Sequence, residues 1–130
     1  MAKYQELLNY IPYFEDTSTI FFTWSKAKKR EDGVIDLGYP MYDEGVRDFV
    51  KLVYKCGLID SRYSENLREH TEKGRDLGQL IETADLNLLK SILTHFIRGE
   101  RFCDGYWIGA IEGGIFLKTL YRLKELMGES

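Results

Sequence analysis

Between Asp85 and Gly99 the chain sets Leu86, Leu89, Leu93, Phe96 and Ile97 at the three- and four-residue spacing of one helix face. A strand, with its period of two, would split that set between its sides. The stretch predicts a helix over 86–98, with Asp85 placed to accept the first free amides and Arg98-Gly99 closing it. A second stripe, Val46, Phe49, Val50 and Val53, follows the acidic start Asp43-Glu44 and ends at Lys55 and Gly57, which predicts a helix over 44–56. Phe116, Leu120, Leu123 and Met127 predict a third over 115–127. These stripes must bury against one another, so they define the core.

Around that core the pattern changes. Tyr4, Leu7, Leu8 and Ile11 predict a first helix that Pro12 closes near Tyr10. From Ser18 to Ser25, Ile20, Phe22 and Trp24 alternate with Thr19, Phe21 and Thr23, a strand pattern. A charged stretch, Lys26 to Gly33, separates it from a second apolar run of Val34, Ile35 and Leu37, so a β-hairpin is expected. Ser61 to Arg75 is polar and reads equally as an exposed helix or a long surface loop. Asp76 and Gln79 have capping-box spacing for a short helix carrying Leu77, Leu80 and Ile81. Tyr106 to Glu112 predicts a further helix, with a bend at Gly113-Gly114. The expected fold is a mainly helical α+β single domain over residues 1–130 with one small hairpin near its amino terminus.

The length of 130 residues suits one domain. A net charge of -3 supplies no overall field for a polyanion, so a nucleic-acid role would need a local basic patch. No apolar run approaches the roughly 20 residues needed to cross a bilayer, and the amino terminus has no signal pattern. A cytoplasmic protein without a membrane partner is expected. Cys56 and Cys103 read as reduced thiols, and Cys56, His70, His95 and Cys103 are too scattered for a metal site. Gly109, Gly113 and Gly114 lack phosphate-loop spacing, and no cofactor is implied.

The densest chemistry lies in Arg98-Gly99-Glu100-Arg101-Phe102-Cys103-Asp104-Gly105. Four charges at a corner between apolar helices must pair with one another or meet a ligand, because an unpaired buried charge costs several kcal/mol. In the structural reading they close on themselves, Asp104 caps the next helix and both glycines take positive φ. In the functional reading Arg98 and Arg101 bind phosphate or carboxylate, with Glu100 or Asp104 moving a proton. Around this run the chain resembles a bacterial and phage domain family of unknown function marked by Arg-Gly-Glu-Arg-Phe, any residue, Asp-Gly. The resemblance extends from Tyr10-Ile11-Pro12-Tyr13 to the Leu117–Leu126 tail. It implies a small domain and brings no activity, ligand or site residue with it.

Two further features bear on function. Cys103 beside Arg101 has the setting of a reactive thiol, and His95, eight residues upstream, is the nearest histidine in sequence to serve as its base. His70 reads as a solvated surface residue. Lys26, Lys28, Lys29 and Arg30 form a basic cluster beyond aromatic Phe22 and Trp24, a phosphate-tracking pattern that Glu31 and Asp32 partly cancel. A solvated hairpin tip with its aromatics turned inward is the plainer account. Lys118, Arg122 and Lys124 are too few for major-groove reading. Nine Tyr, seven Phe and two Trp instead favour a non-enzymatic interaction module, binding a protein partner or its own copy. The alternative is a small-anion or nucleotide site, possible as an enzyme, at Arg98, Glu100, Arg101 and Asp104. A weaker alternative is nucleic-acid binding through Lys26 to Arg30.

Overall fold

A computed structural model of the chain describes residues 4–25, 28–29, 31–33, 35–36 and 38–128. In order they form α1 (Gln5–Leu8), α2 (Ile11–Glu15), β1 (Phe22–Trp24), β2 (Lys28–Lys29), β3 (Ile35–Asp36) and β4 (Pro40–Tyr42). Then come α3 (Glu44–Lys55), α4 (Tyr63–Glu72), α5 (Leu77–Leu80), a 3-10 turn at Ile81–Thr83, α6 (Leu86–Gly99), α7 (Tyr106–Glu112) and α8 (Ile115–Gly128). The fold is mainly helical with a small antiparallel hairpin.

Helix starts follow the acidic caps. Asp43 accepts from Gly45 N, Asp76 from Gly78 N and Gln79 N, and Asp85 from Leu88 N, each satisfying amides that the first turn leaves free. The three stripes meet as expected. Phe49 and Val53 of α3, Leu89, Ile92, Leu93 and Ile97 of α6, and Phe116, Leu120 and Leu123 of α8 are buried in one cluster. Much of the aromatic content is spent here. Phe14 packs edge-on against Phe49 with ring centres 5.0 Å apart, and Phe49 meets Phe116 at 5.3 Å.

Two expectations near the amino terminus are corrected. Pro12 does not end the helical region: the chain breaks at Asn9-Tyr10 and resumes as α2 with Pro12 in its first turn, where a missing N–H costs nothing. The charged stretch does not separate the strands either. The outer ladder pairs Phe22 with Tyr42, Thr23 with Met41 and Trp24 with Pro40, and the inner ladder pairs Lys28 with Asp36 and Lys29 with Ile35. A two-stranded ribbon is solvated on its edges, so lysines do not stop its pairing. Ser61 to Arg75 resolves in favour of a helix, α4, with Leu67 alone buried in it.

Buried polar groups tie α4 to α6. Ser91 Oγ donates to Asp60 Oδ2 at 2.6 Å, and Thr94 Oγ1 accepts from Asp60 N at 2.8 Å. Asp60 Oδ1 in turn accepts from Arg62 N, and Oδ2 from Asn66 Nδ2. The Ser91 hydroxyl leads in holding the Asp60 carboxyl below its ordinary range.

Candidate functional site

The α6–α7 turn is shaped by two glycines with different jobs. Gly105 has φ +89° and lets the chain reverse into α7, a conformation that a Cβ disfavours. Gly99 is helical, contrary to the positive φ expected of it. Its missing side chain makes room for the Tyr106 ring, whose Cδ2 lies 2.3 Å from where a Cβ would stand.

The four charges of this corner do not close on one another. Glu100 turns inward: Oε2 accepts from Gly105 N at 2.9 Å, and Oε1 accepts from Trp107 N at 2.9 Å and from the Tyr42 hydroxyl at 2.7 Å. Glu100 is thus the cap of α7, the role expected of Asp104, because the left-handed Gly105 directs the free amides back toward the end of α6. Burial, followed by the Glu100 hydrogen bond, pushes the Tyr42 phenol up from its ordinary range. Asp104 is exposed.

The arginines separate. The Arg98 guanidinium carbon lies 5.7 Å from the centre of the Tyr63 ring, and its buried Nε has no hydrogen-bond partner among the described residues. Arg101 is exposed and lines a cleft of about 340 Å³ with Val50, Tyr54, Ile97, Glu100 and Trp107. Among the described residues no ion pair joins any of the four. A proton-transfer role for Glu100 finds its two oxygens already occupied by three donors.

Cys103 and His95 are not assembled as a nucleophile and base. His95 Nε2 shares a 2.8 Å hydrogen bond with the Tyr106 hydroxyl, and its ring packs edge-on against Phe96 at 5.1 Å. Burial pushes the imidazole below its ordinary value. Cys103 is exposed, and no disulfide joins it to Cys56.

The hairpin rests on the same corner. Phe22, Trp24, Pro40 and Tyr42 share one side of the outer ladder. The Tyr42 ring meets Trp107 at 4.9 Å, and Trp24 Cζ2 is 3.5 Å from the Cβ position of Gly105. Trp24 nevertheless remains 52% exposed, so the aromatics are only partly turned inward. Lys26 and Arg30 lie outside the described residues, Lys28 and Lys29 form β2, and Lys29 is exposed.

A larger cavity, about 690 Å³, had no sequence motif pointing to it. Asp60, Asn66, His70, Asp85, Lys90 and Ser91 are among its lining residues. His70, expected at the surface, lines its open side with Nδ1 2.9 Å from Arg75 Nη1. The only signal was the run of polar residues on α4, which carries no spacing of its own. Among the described residues no cluster of three or more His, Cys, Asp and Glu forms a metal site, and no helix is long and apolar enough to cross a membrane.

No curated protein and no solved structure matches the chain. A family model described as a family of unknown function (DUF6508) matches residues 1–129.

Proposed function

The chain belongs to the DUF6508 family of unknown function, and on that premise we propose, from its own surface, that it is a non-enzymatic module binding a protein partner or a second copy. The observation that carries this reading is Phe102, 82% exposed at the tip of the α6–α7 turn. It does not stand alone. Trp24, packed on Gly105 of the same turn, is also exposed, and Met41 is exposed on the opposite side of the ribbon. Ile20, 72% exposed, lines a shallow hollow with Phe22, Thr23 and Met41. Large exposed apolar groups gathered on neighbouring elements mark contact surfaces. Size-exclusion chromatography with light scattering, together with pulldown, tests it. The expected result is a dimer or a recovered partner that Phe102→Ser abolishes. A strictly monomeric protein that recovers nothing overturns it.

A second reading is favoured by one anomaly, the buried and unpartnered Arg98 Nε. A guanidinium without a carboxylate partner is available to a small anion such as phosphate or a carboxylate. Thermal shifts with a panel of nucleotides, phosphates and carboxylates test it, with stabilisation expected for the native chain and lost in Arg98→Ala. Stabilisation of both alike rules out this corner. We propose in addition a bacterial or phage origin and a cytoplasmic setting.

A further inference from the structure

We infer that the cavity of about 690 Å³ between α4 and the start of α6 is a binding site for a small neutral carbohydrate. It sits at the amino-terminal end of α6, whereas Phe102 follows the other end of that helix, so its ligand is a function separate from the contact surface proposed above.

Helix spacing builds the walls. Asn66 and His70 stand four residues apart on α4, and Asn87 and Ser91 four apart on α6, so each pair shares a face. All four line the cavity, and Asp60 ties the two rows together: its Oδ2 accepts from Ser91 Oγ at 2.6 Å and from Asn66 Nδ2 at 2.7 Å. With Arg62 N donating to Oδ1, the carboxylate is held in one orientation before any ligand arrives, which reduces the ordering that binding must impose. Ile59 and Leu88 supply the apolar part of the wall, a surface for the C–H face of a sugar ring.

The charges in the lining are answered within the chain. Asp60 is held ionised first by the Ser91 hydroxyl, then by Arg62 N, the Asn66 amide and the nearby Lys90 ammonium. Asp85 Oδ1 accepts from Leu88 N at 2.8 Å, at the positive end of α6. His70 Nδ1 lies 2.9 Å from Arg75 Nη1. A guanidinium can only donate, so Nδ1 carries the lone pair and the neutral ring keeps its proton on Nε2. What is left is neutral hydrogen-bonding capacity. The Asn87 amide and the Thr83 hydroxyl make no hydrogen bond among the described residues, and the Asn66 amide makes only its bond to Asp60. Side-chain amides and hydroxyls both donate and accept, as does every hydroxyl of a sugar. Among the described residues no Phe, Tyr or Trp lines the cavity, so it offers no platform for stacking a nucleobase. Its volume falls in the range of small-molecule sites.

The test is a proton–nitrogen NMR titration of the full chain with glucose, galactose, mannose and ribose, following the side-chain amide signals of Asn66 and Asn87. Glucuronate, glucosamine and adenosine are titrated in parallel. At least one neutral sugar is expected to shift both amide signals with a Kd of about 1 mM or tighter, and to bind more tightly than all three parallel compounds. Thr83→Ala and Asn87→Ala, both at exposed positions, should each weaken that sugar about fivefold, the loss of one hydrogen bond, read in Asn87→Ala from the Asn66 signal. The backbone amide spectrum of each variant checks that it folds. No shift of the Asn66 and Asn87 signals with any neutral sugar, or binding that ignores both substitutions, overturns the inference. Tighter binding of glucuronate or glucosamine overturns it in favour of an ion site, and tighter binding of adenosine in favour of a nucleobase.

Discussion

A single carboxylate, Glu100, accepts two backbone amides and one phenol at the α6–α7 corner. Its loss leaves partly buried donors unpaired, each a penalty of about 1 kcal/mol or more. Glu100→Ala is therefore expected to destabilise the fold by about 2 to 3 kcal/mol in urea unfolding, whereas Asp104→Ala, at an exposed position, stays within about 0.5 kcal/mol. His95 gives a pH signature. Burial lowers its folded pKa below the ordinary 6.5, so the unfolded chain takes up the proton first. Stability is full above the ordinary value and declines as pH falls through 6.5 toward the lower folded value. His95→Gln should flatten that window. Asp60 acts in a more acidic one: its contribution is present above the ordinary 3.8 and is lost as pH falls through its lowered folded value. The sequence singled out this turn by its charges and misassigned which carboxylate caps α7. Helix periodicity reports which face is apolar and says nothing about which of two nearby carboxylates a left-handed glycine will place under the free amides.

The elements themselves were largely legible, because stripes and caps are local. Asp43, Asp76 and Asp85 each cap the helix expected of them, and the α7 bounds at Tyr106 and Glu112 follow from the flanking glycines. Less legible were α4, whose one buried residue, Leu67, leaves almost no stripe to read, and α2, where Pro12 signals a stop and a start equally well. Glycine substitutions separate spacing from propensity. Alanine favours a helix over glycine by up to about 1 kcal/mol. At Gly109, where nothing lies within 4 Å of the added Cβ, Ala should stabilise by about 0.5 kcal/mol. At Gly99 the same change meets the Tyr106 ring, so a net loss of about 1 to 2 kcal/mol is expected. Thermal unfolding of the two variants checks the opposite signs.

Over the molecule as a whole, composition overstated the surface. Many of the aromatics lie in or against the core, including the packed set Tyr10, Phe14, Phe49 and Phe116, and only a subset remains for contact. Counting residue types cannot separate the two, because burial depends on which elements meet. A Trp24→Ser, Phe102→Ser double variant should unfold within about 1 kcal/mol of the native chain, since Phe102 buries almost nothing, while losing self-association or partner recovery. A large stability loss instead would show these side chains to be part of the scaffold. The shared seat on Glu100 also bears on motion. Because the ribbon hangs on it through Tyr42 and the next helix begins on it through Gly105 and Trp107, lifting one unfastens the other. In Tyr42→Phe, deuterium should enter the Gly105 and Trp107 amides and the β1–β4 ladder at one common, faster rate, as a single unit of opening that takes no account of the sixty-odd residues between them along the chain.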